Sequence, residues 1–164
     1  MEPPEEAFDV ALAMSRATKF DVVRYRKLLE CGVRAGDPLA TYALATSLVR
    51  GDDELGVAFD LRRGIRLLKR AAGTVNRAMY ELGCAYEYGF GVRRDLCRAR
   101  DLYARAAAHG SLAGMDAYAR VLESGIGGPV RHAQARRLRR RLAVHLGEIA
   151  PEDKVEDKVA RTRS

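Results

Sequence analysis

Apolar residues recur along this chain in steps of four that are cut off by glycine, and the cut-off itself recurs. Counting from Ala40, Ala78 and Gly114, the fourth residue on is Leu44, Leu82 or Tyr118, and the fifth is Ala45, Gly83 or Ala119. Eight on stand Leu48, Tyr86 and Leu122; eleven on, each segment reaches a glycine, Gly51, Gly89 or Gly125, and Gly91 and Gly127 follow in the last two. Such a pattern predicts a helix with one apolar face that ends in a left-handed cap. A second helix is expected beyond each turn. Asp60 and Asp95 are placed as N-caps whose carboxylates accept the unpaired first-turn amides. From them Gly64 and Ala99, then Leu67 and Leu102, then the alanine pairs at 71–72 and 106–107 trace one buried face. The third copy has Arg131 in place of the cap but keeps Ala135, Leu138, Leu142 and Ala143 in register. That change weakens the cap and leaves the helix.

A helix pair of this size cannot bury its apolar face alone, so neighbouring pairs must cover one another. Small residues in both helices let the backbones approach while Leu and Tyr fill the space between. The expected fold is all-α, a solenoid of about four antiparallel helix pairs. An acidic N-terminal segment at 1–6 precedes the solenoid at 7–147, divided into a diverged leading pair at 7–36 and repeats at 37–73, 74–110 and 111–147. The leading helices are expected at 7–14 and 21–31, because Asp21 and Leu28 fall in register with Asp95 and Leu102. The charged tail at 148–164 has no apolar stripe and is expected to be flexible.

The segment from Ala78 to Gly110, AMYELGCAYEYGFGVRRDLCRARDLYARAAAHG, closely resembles the Sel-one-like repeat, whose pattern is A-x-x-x-L-G-x-x-Y-x-x-G-x-G-V-x-x-D followed by A-x-x-x-Y-x-x-A-A-x-x-G. The copy from Ala40 lacks the second loop glycine and carries an insertion at 52–55; the copy from Gly114 lacks the second-helix aspartate and tyrosine. The resemblance extends over roughly residues 5–147. It implies a right-handed, tetratricopeptide-like superhelix serving protein–protein contacts. In such solenoids the first helix of each pair lines the concave surface, so register selects the candidates for partner binding. Tyr42, Tyr80 and Asp116 share one position; Thr46, Cys84 and Arg120 share another; Arg50, Tyr88 and Ser124 share a third. Tyr42, Thr46, Arg50, Tyr80, Tyr88, Asp116 and Arg120 form the candidate set, with packing between repeats as the plainer reading of Tyr42 and Tyr80.

Charge adds a second possibility. The formal net charge is +7, almost all of the excess being arginine, which a GC-rich genome also produces. The densest run is Arg131, Arg136, Arg137, Arg139, Arg140 and Arg141, opposite Ala135, Leu138, Leu142, Leu146 and Ile149. As the last helix of a solenoid it reads as a solvated cap. Alternatively, Arg131, Arg136, Arg137, Arg140 and Arg141 form a basic patch for nucleic acid or an acidic protein. No aromatic residue is available there for stacking on single strands.

Catalytic chemistry finds no purchase in the sequence. Cys31, Cys84 and Cys97 lack paired metal spacing and read as buried free thiols of a reducing compartment, although a bridge between Cys84 and Cys97 is geometrically conceivable. His109, His132 and His145 are dispersed, and His109 before Gly110 suits a helix end. The glycine-rich turns after Tyr88 and Ser124 lack the Gly-Lys-Ser/Thr ending that brings a cation to phosphate, and Ser15 with Lys19 has no nucleophile spacing. No secretory signal or membrane span is visible. The sequence therefore leads to a cytoplasmic, non-enzymatic scaffold or adaptor for another protein. It needs no cofactor, and its solenoid ends are open to self-association.

Overall fold

Helices begin in this chain where a side chain can accept the first free amides. The Asp37 carboxylate takes the Leu39 and Ala40 amides ahead of Pro38, and Asp60, Asp95 and Ser111 take those of Arg63, Arg98 and Gly114. Val75 and Arg131 make no such bond. The structure, a computed structural model, describes residues 22–51 and 57–148. Within them lie α1 (Val22–Ala35), α2 (Pro38–Arg50), α3 (Leu61–Ala71), α4 (Asn76–Tyr88), α5 (Leu96–Ala108), α6 (Leu112–Ser124) and α7 (His132–His145). The helix expected at 7–14, the cap at Asp21, the insertion at 52–55 and the segment beyond Glu148 lie outside the described residues.

The chain is an all-α solenoid. α2 packs on α3, α4 on α5 and α6 on α7, while α1, α3 and α5 each pack on the first helix of the following pair; α4 also touches α6 directly. Two parallel rows result, first helices (α2, α4, α6) and second helices (α1, α3, α5, α7). The expected apolar positions form the core: Ala40, Leu44, Ala45 and Leu48 in α2 and Ala78, Leu82 and Tyr86 in α4 are buried, as are Leu67, Ala71, Leu102 and Ala106 in the second row. Small residues set the approach. A Cβ on Gly83 would lie 2.6 Å from the Tyr103 ring, and one on Gly114 would lie 2.6 Å from the Ala106 Cβ, so these two positions hold α5 close to α4 and α6 close to α5.

One backbone bond closes every pair. The amides of Asp60, Asp95 and Arg131 donate to the carbonyls of Leu48, Tyr86 and Leu122 at 3.0, 2.9 and 2.8 Å. The closure therefore survives both the loss of the capping aspartate and the longer first loop. Gly89 and Gly125 adopt the left-handed conformation expected of them. Gly51 departs from that expectation, with φ 70° and ψ 132°; by sequence its loop to the next cap is longer than the other two. The loop glycine Gly127, at φ 71°, tucks against α5 so tightly that a Cβ would lie 2.1 Å from the Leu96 carbonyl oxygen. Arg100 completes that junction from below, its guanidinium donating to the Pro129 carbonyl at 2.9 Å.

Candidate functional site

The row of first helices carries the candidate contact residues, and most of them are engaged within the protein. The Tyr42 hydroxyl, from α2, donates to Glu81 Oε1 on α4 at 2.8 Å. Arg50 and Arg77 approach the same carboxylate at 3.8 and 3.9 Å. Burial, then the bond to Glu81, pushes the Tyr42 phenol up to about 12. Thr46 turns inward to its own helix, its hydroxyl donating to the Ala43 carbonyl. Ser124 does the same with the Arg120 carbonyl.

The next junction is tighter. Arg120 on α6 reaches Glu87 on α4 with two bonds of 2.9 and 2.7 Å, and the Tyr103 hydroxyl from α5 donates to the same carboxylate at 2.7 Å. The Glu87 side chain is only 7 % exposed, against 41 % for Arg120. The Arg120 bonds hold the Glu87 carboxyl below its ordinary value in spite of burial, and Glu87 in turn raises the Arg120 guanidinium. Tyr103 is raised by burial first, and by its bonds to Cys84 and Glu87. Tyr80 lies against Tyr103 with ring centroids 5.9 Å apart; the neighbouring Cys84 raises its phenol most, ahead of burial. Further along, Asp116 and Glu123 on α6 both pair with Arg139 of α7, and the bond from Arg139 lowers the Glu123 carboxyl.

Tyr88 differs from the rest. It is 59 % exposed at the end of α4, stacked on Phe90, itself 58 % exposed, with centroids 5.6 Å apart. Phe90 was not among the sequence candidates, which treated it as part of a turn. Glu81, Glu87, Tyr103 and Glu123 were also missed. One signal was available: Glu87 and Glu123 occupy the same repeat position, nine residues after Ala78 and Gly114.

Of the alternative basic patch on α7, Arg131, Arg136, Arg137 and Arg141 are exposed and Arg140 is half-buried. The apolar side of this helix is incompletely covered: Ala135 and Leu138 are buried, but Leu146 is 55 % exposed. The expectation of buried thiols fails for Cys31 and Cys97, which are exposed, and all three cysteines are free. Each of the exposed pair falls on the solvent side of a second helix, where no stacked neighbour covers it. His109 is the C-cap of α5, ahead of Gly110. Among the described residues no group of three metal-type ligands forms, and no helix is long and apolar enough to cross a membrane.

The family model of the Sel1 repeat matches residues 38–72 and 76–111. Two solved structures resemble the fold over 87 % of this chain. One is a Sel1 repeat protein from Oxalobacter formigenes, with 26 % identity and a TM-score of 0.78, of which 42 % is covered. The other is a protective antigen of uropathogenic Escherichia coli displaying an SLR fold, with 20 % identity and a TM-score of 0.80, of which 31 % is covered. The chain thus spans less than half the length of either. No curated protein matches the sequence significantly.

Proposed function

Because the chain is a Sel1 repeat protein, a class that typically serves as a non-enzymatic interaction scaffold, we propose that it is an adaptor that docks another protein on its first-helix row. In this reading that row is the concave side, and Tyr88 with Phe90 is the anchor. The observation that carries it is the stacked, exposed Tyr88–Phe90 pair, apolar area for which the fold itself has no use. Aromatic side chains of this kind dominate the energy of protein interfaces, since each offers a large rigid face at little entropic cost. Tyr42, Asp116 and Arg120 are held by intramolecular bonds and Tyr80 by its ring contact with Tyr103, so their part is a pre-ordered rim around the anchor. Three free thiols suit a reducing compartment and support a cytoplasmic setting. Exposed Leu146 at the end of α7 makes that end the place for self-association.

The test is capture from native lysate by the wild type and by Tyr88→Ala/Phe90→Ala, each with and without nuclease. A protein retained through nuclease treatment and lost with the double substitution is the expected result. Equal capture by both forms would remove the anchor from the account.

A further inference from the structure

The two rows of helices divide the charge so unequally that we propose a second interaction surface: the second-helix row binds the phosphate backbone of duplex nucleic acid. This stands whether or not the first-helix row takes a protein. α3 presents Arg62, Arg63, Arg66, Lys69 and Arg70 on its solvent face and contains no acid. α7 contains five arginines and no acid, Arg139 being the one tied to Asp116 and Glu123 of α6. Between them α5 adds exposed Arg98, beside its cap Asp95, and Arg105 against Asp101. α1, joined to α3 by the Arg70 guanidinium on the Val33 carbonyl at 3.1 Å, contributes more cations than its single Glu30 offsets. The first-helix row is the opposite: α2 has Arg50 alone, and the cations of α4 and α6 are matched or outnumbered by Glu81, Glu87, Asp116 and Glu123. A bias in base composition would place arginine at solvent positions of both rows. It does not account for this partition.

Three features select the occupant. First, the cations are overwhelmingly arginine, Lys27 and Lys69 being the lysines of these four helices, and the guanidinium fork matches phosphate bidentately. Second, α3 and α5 expose no large apolar side chain, and those exposed elsewhere along the row, Val23 at the start of α1 and Leu146 just past α7, stand at its two ends. An acidic protein partner would need such anchors for a stable interface, whereas a polyanion backbone needs only charge. The same lack of exposed rings leaves single strands nothing to stack on. Third, the charge continues along the row through four successive second helices, α1, α3, α5 and α7, an extended stripe of the kind a polyanion backbone can follow.

The experiment is fluorescence anisotropy of the full chain with a labelled random-sequence duplex DNA across a salt series. Three variants accompany it: Arg66→Glu/Arg137→Glu, the neutral pair Arg66→Gln/Arg137→Gln, and Arg50→Glu/Arg77→Glu. The last makes the same change in net charge as the first, at exposed positions of the first-helix row. Circular dichroism checks that each is folded. The proposal expects log affinity to fall linearly with log salt, with a slope of about −4 or steeper, meaning four or more phosphates. It also expects about tenfold or greater weakening in Arg66→Glu/Arg137→Glu, a smaller loss in the neutral pair, and less than about threefold in the control. Equal losses in both reversal variants would reduce the effect to net charge and overturn it. So would displacement of the duplex by polyglutamate or by phosphatidylserine vesicles at matched charge concentration, or no binding at low salt.

Discussion

The two helix rows of this solenoid use charge in opposite ways. In the first row, acid and base meet across repeat boundaries: Tyr42 with Glu81 between α2 and α4, Arg120 with Glu87 between α4 and α6. In the second row, α3 and α7 carry arginines and no acid, and apart from Arg139, which pairs with Asp116 and Glu123 of α6, these arginines are placed toward solvent. The first arrangement is part of how the repeats hold together. The second contributes little to folding, because exposed charges in water gain and lose little by their neighbours, and so it is open to be used for something else. The comparison teaches that a net charge of +7 says less about this protein than where the charges stand.

If that contrast is right, the largest effect of a single substitution will come from the first row. Glu87→Ala strips a buried carboxylate from both Arg120 and Tyr103 and should cost about 2–4 kcal/mol in urea denaturation; breaking a buried pair typically costs 3–5, reduced here by the exposure of Arg120. A loss below about 0.5 kcal/mol would mean the clamp is decorative. Gly83→Ala forces a methyl into the Tyr103 ring and should cost about 1–3 kcal/mol by overpacking, read as a lower thermal midpoint. A midpoint at or above that of the wild type would show that the helices can separate freely.

Acid sharpens the comparison further. The folded-state Glu87 carboxyl lies below its ordinary value of 4.5, so its stabilisation is fully present above that value and is lost as pH falls through the lower, folded one. The stability gap between wild type and Glu87→Gln should therefore be constant from pH 7 to 5 and should narrow below pH 4.5. A gap that stays unchanged into acid would assign the effect to packing. The smallest effect belongs to the second row: Arg66→Glu/Arg137→Glu should leave unfolding stability within about 0.5 kcal/mol of wild type. A larger destabilisation would mean that these arginines also serve the fold.

The helices and their order were legible because their signals are local. Ala78, Leu82 and Tyr86 share one helix face, Asp95 begins the next helix, and both facts follow from spacing within a dozen residues. The tie from Glu87 to Arg120 was not legible. Its partners are thirty-three residues apart, and either side chain alone reads as an ordinary solvated charge. Arg120 was selected by register as a contact residue, and the same register carried it into the α4–α6 junction. Tyr88 was selected by register as a first-helix position, but its stacking on Phe90 runs across a glycine turn, which no periodicity reports. The partition of charge required knowing which helices share a row. Read along the chain, attention goes to the arginines of α7; read across the fold, Arg62, Arg63 and Arg66 of α3 belong with them.

The most direct measurement of the central claim, that a partner protein docks on the first-helix row, is site-specific photo-crosslinking in native lysate. A photoreactive phenylalanine derivative, which keeps an aromatic ring at the anchor, is placed either at Tyr88 or at Arg66, both on solvent-exposed positions but on opposite rows. The account predicts a discrete protein adduct from the Tyr88 position that survives nuclease, and no protein adduct from the Arg66 position. The same adduct from both positions, or one from Arg66 alone, would contradict it.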